Sequence, residues 1–147
     1  VNSGALFSEL IRFETELWNA VMARLESEHG LDLHYFEPMQ VIARTPDCRV
    51  HEIAAALSIT VGGTSKLVDR IEAAGWCRRR KNPGDGRSSF IDLTARGQRL
   101  LTAAERTFTE EVEAGLRTPL TPRQFQEFAA TICMLRHALR SRSLDGA

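Results

Sequence analysis

The amino-acid sequence predicts a mainly α-helical chain carrying one small β-hairpin, and three observations lead there. Apolar residues recur at helical spacing over most of the length. Gly, Pro, Asp, Asn and Thr punctuation cuts that pattern into separate helices. Between Gly75 and Thr94 the period shortens around a Pro/Gly/Asn/Asp cluster. At 147 residues, 43% hydrophobic and 26% charged, the composition is globular and suits one domain, or one domain plus an oligomerisation arm.

The first helix is the longest apolar pattern. Leu6, Leu10, Phe13, Leu17 and Val21 follow one another at steps of four, three, four and four, and Phe7, Ile11, Trp18, Met22 and Leu25 form an adjacent row. Two rows make a stripe too wide to bury against one side of a small core, so a second side is expected to meet a partner chain. Gly30 stops this helix. A shorter helix follows from Tyr35 to Ala43, broken by Thr45-Pro46-Asp47. Val50 to Leu57 forms the next, with Val50, Ile53, Ala54 and Leu57 on one face. Ser58-Ile59 turns the chain, Thr60 caps a helix running to about Ala74, and Gly75 stops it. Trp76 to Arg80 and Ser88 to Leu93 bracket Asn82-Pro83-Gly84-Asp85-Gly86 as a hairpin. Thr94 caps a long helix from Ala95 to about Leu116, ended by Thr118-Pro119. Thr121-Pro122 opens the last helix, whose apolar face holds Phe125, Phe128, Ile132, Leu135 and Leu139.

Two short helices, a tight turn and a basic hairpin stand in the order of a winged helix-turn-helix. The net charge is zero, from 19 basic and 19 acidic residues, but it is unevenly distributed. Residues 1–44 sum to −4, residues 45–65 to −1, residues 66–87 to +4 and the remainder to +1. A polyanion responds to the local field, so the basic segment outweighs the neutral total. Projected at about 100° per residue, Thr60 to Ala74 turns Thr64, Leu67, Val68 and Ile71 inward. The opposite stripe holds Gly62, Lys66, Asp69 and Ala73, with Gly63, Ser65 and Arg70 at its margins. Small and polar residues outward suit a DNA groove. Each of the two glycines costs about 1 kcal/mol inside a helix, to be offset by close approach to a nucleic acid or by a tight crossing on the preceding helix. In the hairpin, alternation sends Arg78 and Arg80 to one side, Arg79 and Lys81 to the other. Arg87 at the tip suits a narrow minor groove, with Asp85 expected to hold the tip through a short ion pair or else to serve as an ordinary turn residue. The candidate DNA contacts are therefore Thr60, Gly62, Gly63, Thr64, Ser65, Lys66, Arg70, Arg80, Lys81, Asp85 and Arg87.

These residues also resemble a family. Ser58-Ile59-Thr60, the Leu67-Val68-Asp69-Arg70-x-Glu72-x-x-Gly75 stretch, Asp85-x-Arg87 at the wing and Leu93-Thr94-x-x-Gly97 stand at the spacing of the MarR (multiple-antibiotic-resistance) regulators. The resemblance extends over nearly the whole chain. It implies a homodimer, built by the N- and C-terminal helices, that binds a pseudo-palindromic operator and more often represses than activates. The implied division is a dimerisation region over 1–34 and 117–147, a winged helix-turn-helix over 35–93 and a connecting helix over 94–116, with Leu6, Leu10, Phe13, Phe125, Phe128, Ile132 and Leu135 as dimer candidates. A small anionic or phenolic effector is implied as well, for which Arg12, Trp18, His34 and His51 are candidates, although an interface or surface role suits each of them too.

Other chemistry finds less support in the residues. The three cysteines make no disulfide framework, which sets the expectation of a reducing cytoplasm; no leader and no membrane-length apolar run is read. The family's peroxide sensors carry a cysteine in the first helix, where this chain has none. Cys77 beside Arg78 either gains thiolate character or packs inward from the hairpin; Cys133 reads as a small apolar residue, and Cys48 with His51 supplies half a metal site. No phosphate loop, HExxH or nucleophile–base motif stands at the required spacing, so neither an enzyme nor a cofactor is expected. A winged helix serving only protein contacts would carry apolar residues where Lys66 and Arg87 stand.

Overall fold

A computed structural model describes the backbone of residues 2–145 and the side chains of residues 2–142. The chain runs through α1 (Ser3–His29), α2 (Leu33–Arg44), α3 (Val50–Leu57), α4 (Val61–Ala73), β1 (Cys77–Lys81), β2 (Ser89–Leu93), α5 (Ala95–Val112) and α6 (Pro122–Asp145). Two compact units divide it, residues 1–109 and residues 110–147. This is the mainly helical winged-helix architecture that the sequence predicts.

The predicted punctuation does its work. Asn2 accepts the Ala5 amide to open α1, and Gly30, at φ 62°, closes it with its own amide bonded to the Glu26 carbonyl. The second helix starts two residues earlier than its apolar pattern suggested, because Asp32 caps it by accepting the His34 amide. Thr60 accepts the Gly63 amide at 3.1 Å and Thr94 accepts the Gly97 amide at 3.0 Å, capping α4 and α5. The end of the long helix departs from regularity: Glu113–Arg117 is π-helical, closed by the Thr118 amide and hydroxyl, both donating to the Glu113 carbonyl.

In the first unit α2 is central, packing against α1, α3, α4 and β2. Leu25, Leu31, Phe36, Met39, Ile53, Val68, Ile71, Ile91 and Leu101 fill the core, and the Phe36 and Phe108 rings lie 4.8 Å apart. The hairpin is antiparallel, pairing Cys77 with Leu93 and Lys81 with Ser89. The outer edge of β2 is tied down where the Ile91 amide donates to the Cys48 carbonyl at 2.7 Å. Cys48 and Cys77 are both buried, which settles the alternative left open for Cys77: burial pushes its thiol up to about 12, with Glu72 adding to the effect, and that of Cys48 up to about 11. Arg78 does not activate it. At mildly alkaline pH, a thiol reagent is expected to modify these two cysteines only once denaturant is added; rapid reaction of either in the native protein would contradict this packing.

The dimer candidates of the first unit lie bare on α1, where Leu6 is 52% exposed and Phe7, Leu10, Ile11 and Phe13 are exposed with it. In the second unit Phe125, Phe128 and Ile132 are half-buried on α6, Leu135 is exposed, and the Arg117 guanidinium stacks 5.1 Å from the Phe125 ring centre. No helix among the described residues is long and apolar enough to cross a membrane.

Candidate nucleic-acid interface

The inward face of α4 is Thr64, Val68 and Ile71, all buried. That anchorage turns Gly62, Gly63, Lys66, Asp69, Arg70 and Ala73 to solvent and leaves Ser65 half-buried. Thr64 therefore has to be withdrawn as a contact residue. Its side chain is fully enclosed, and its hydroxyl donates to the Thr60 carbonyl at 2.7 Å.

The glycine pair now separates by cause. A Cβ on Gly62 would meet nothing within 4 Å, so no helix crossing explains it. A Cβ on Gly63 would lie 3.0 Å from the Thr60 hydroxyl, so this glycine makes room for the cap of its own helix. Of the pair, Gly62 is the one left without a partner among the described residues that accounts for it.

Cations of the hairpin divide as strand alternation requires. Arg79 shares the inner face with Cys77 and Ile91 and reaches back to α4, where its guanidinium meets Asp69 at 2.6 Å and also bonds Glu72. Glu72 accepts the Arg79 amide as well. Burial works against the charge of Arg79, but the hydrogen bonds it donates to Asp69 and Glu72 outweigh that and raise its pKa. Arg80, on the other face, donates to Asp92 and Asp47, each at 2.9 Å, and sits 4.8 Å from the centre of the Phe90 ring. These hydrogen bonds raise its pKa, Asp92 first. Arg80 is thus the brace of the wing, and its guanidinium is already spent on two carboxylates.

The tip is held differently from the expected ion pair. Asp85 accepts the backbone amide of Arg87 at 2.9 Å, an Asx turn, so no carboxylate at the tip engages the Arg87 guanidinium. Asn82 completes the tip by accepting the Gly84 amide and donating to the Ser88 hydroxyl. Among the described residues, the side chains of Lys66, Arg70, Arg78, Lys81 and Arg87 make no hydrogen bond or ion pair. Arg78 belongs with this group although alternation alone assigned it only a side of the strand; its exposure and its cross-strand neighbour Asp92, taken up by Arg80, give the reason.

Between the N-terminal ends of α3 and α4 and the wing lies a cleft of about 340 Å³. Val50, His51, Val61, Ser65 and Arg87 are among its walls. Arg49 lines it as well but is occupied by Glu52, which also accepts the Arg49 amide and fixes the start of α3. The effector candidates do not converge on one place. Trp18 and His34 meet edge to face at 5.3 Å, and His34 also bonds Asp32. Arg12 pairs instead with Glu9 on α1, and His51 lies at the wing cleft beside Glu52.

Residues 29–88, which hold α2 to α4 and β1 with the wing tip, match the family model described as MarR family. This winged-helix segment is thus similar to the MarR family. A curated relative, the HTH-type transcriptional regulator BilQ of Clostridium symbiosum (strain WAL-14163), is 30% identical over 81 residues, a stretch that spans 55% of this chain and 55% of the relative. Among solved structures, the MarR family transcriptional regulator Sco3205 from Streptomyces coelicolor, in complex with DNA, superposes with a TM-score of 0.85 at 24% identity, over 95% of this chain and 93% of that one. AbsC, a MarR family transcriptional regulator of the same organism, gives 0.85 at 17% identity over 96% and 97%. The S. aureus MepR–DNA complex gives 0.81 at 20% identity over 94% and 98%. At these identities the solved structures establish a shared MarR fold, and function has to be argued from the site.

Proposed function

We propose that this chain is a DNA-binding transcriptional regulator that acts as a homodimer, laying α4 in the major groove and the wing in the neighbouring minor groove of a pseudo-palindromic operator. The decisive observation is the sorting of cations. Arg79 and Arg80 are consumed in building the wing, while Lys66, Arg70, Arg78, Lys81 and Arg87 stay unpaired beside the bare stripe of α4. Unpaired cations on two projecting elements supply the counter-charge for phosphates, and an open helix face supplies base readout. MarR-family proteins solved with DNA, such as Sco3205, favour the same reading. The exposed apolar rows of α1 and the half-buried aromatic residues of α6 support a dimer, which two half-sites require. We take its action to be repression, relieved by a small anionic or phenolic effector, with the Trp18–His34 pair as the aromatic wall available to it.

Fluorescence anisotropy on duplexes selected from a random pool, combined with light scattering of the complex, tests this reading. Two chains per duplex and an affinity that falls with salt are expected; a monomer indifferent to duplex DNA at low salt would end it. Gly62 gives a second, sharper check. Gly62→Ala has room for its methyl and favours the helix, so it is expected to stabilise the fold by up to about 1 kcal/mol while weakening DNA binding severalfold. Thermal melts and anisotropy measure the two halves separately. A variant that melts higher and binds as well as the parent would remove the close backbone approach.

A further inference from the structure

We infer that Val61 reads a thymine: its isopropyl group meets the C5-methyl of that base in the major groove, so each preferred half-site carries thymine at one position. This rests on the proposed DNA-binding role. Val61 is the first residue of α4 and is 56% exposed. It has no task in the fold to account for it. The cap belongs to Thr60, and the buried face belongs to Thr64, Val68 and Ile71. The next residue, Gly62, offers no side chain and has nothing within 4 Å of its missing Cβ, so one flank of Val61 is left open.

The first residues of a recognition helix are the ones that meet base edges. Arg87 in the cleft wall and Lys66 on the exposed face of α4, both unpaired, suit phosphates and polar acceptors. An exposed aliphatic group among them needs an apolar partner, and the only apolar group that a base pair presents in the major groove is the thymine methyl. A protein partner fits less well, because its apolar surface would have to cover these unpaired charges too. Ile59, 44% exposed, is the competing aliphatic residue, but it stands in the turn before the helix begins.

The test replaces each thymidine of a selected duplex singly with deoxyuridine, which keeps the pairing and removes only the methyl. Affinity is then measured for the parent protein, Val61→Ala and Ile59→Ala. At one position per half-site, the parent is expected to lose about fourfold, the worth of one methyl group. Val61→Ala should lose a similar factor on the thymidine duplex and nothing more on the deoxyuridine duplex, while Ile59→Ala should still respond to the substitution like the parent. If Val61→Ala responds to every deoxyuridine as the parent does, or if Ile59→Ala is the variant that ceases to respond, the inference is overturned while DNA binding stands. If the parent protein enriches no duplex at all, the DNA-binding role itself falls, and the inference with it.

Discussion

Gly97→Ala is expected to destabilise the protein by about 3 kcal/mol or more, enough to leave much of it unfolded. A Cβ at this position would run into the Trp76 carbonyl oxygen and lie 2.7 Å from its carbon. The obstacle is backbone, so no side-chain rotation relieves it. Nor is that backbone free to retreat. The Trp76 carbonyl accepts the Thr94 amide at 3.0 Å, and the Thr94 hydroxyl donates to the Gly75 carbonyl at 2.7 Å while accepting the Gly97 amide. One threonine and one glycine thereby sew the start of β1 to the start of α5. Gly86→Ala, where nothing lies within 4 Å, is the control and should be close to neutral. Denaturant midpoints compare the two; similar midpoints would mean that α5 does not cross the base of the wing this closely.

Arg87→Ala should be the most damaging single change to binding, raising the dissociation constant about tenfold and lowering the salt slope by about one. Its guanidinium is exposed and unpaired, and the tip that carries it is held by Asp85 and Asn82 through the backbone, so its loss leaves the fold intact. Arg80→Ala should behave in the opposite way. That side chain is engaged by Asp92, Asp47 and the Phe90 ring, so its removal loosens the hairpin and leaves the salt slope unchanged. Titrations of both variants across a salt series distinguish the two roles. Equal slopes for Arg87→Ala and Arg80→Ala would refute the division of the wing into a brace and a free cation.

Local rules were enough for the fold. Caps at Thr60 and Thr94, the stop at Gly30 and the hairpin around Asn82 to Gly86 are signals that short-range chemistry enforces, and the structure follows each. The inward row of α4 followed from helix geometry alone. What escaped the sequence depends on partners distant in the chain. Composition counts Arg79, Arg80 and Arg87 as equivalent, yet Asp69, Glu72, Asp47 and Asp92, which tell them apart, lie as far as 33 residues away. A carboxylate two residues from an arginine suggests an ion pair first, but in the tight turn at Asp85 the nearer amide wins. Gly97 stood out only as part of a motif, since a clash with the Trp76 backbone becomes visible only once the two segments are placed together.

Hydroxyl-radical footprinting of the dimer on a selected duplex tests the central claim most directly. Radicals attack the sugars from the minor groove, so a wing seated there must protect them. The expected pattern is two symmetric sets of protected sugars whose half-site centres are separated by about one helical turn, with the flanking minor-groove protection lost in Arg87→Ala. A single unsymmetric footprint, or wing protection that survives removal of Arg87, would contradict it.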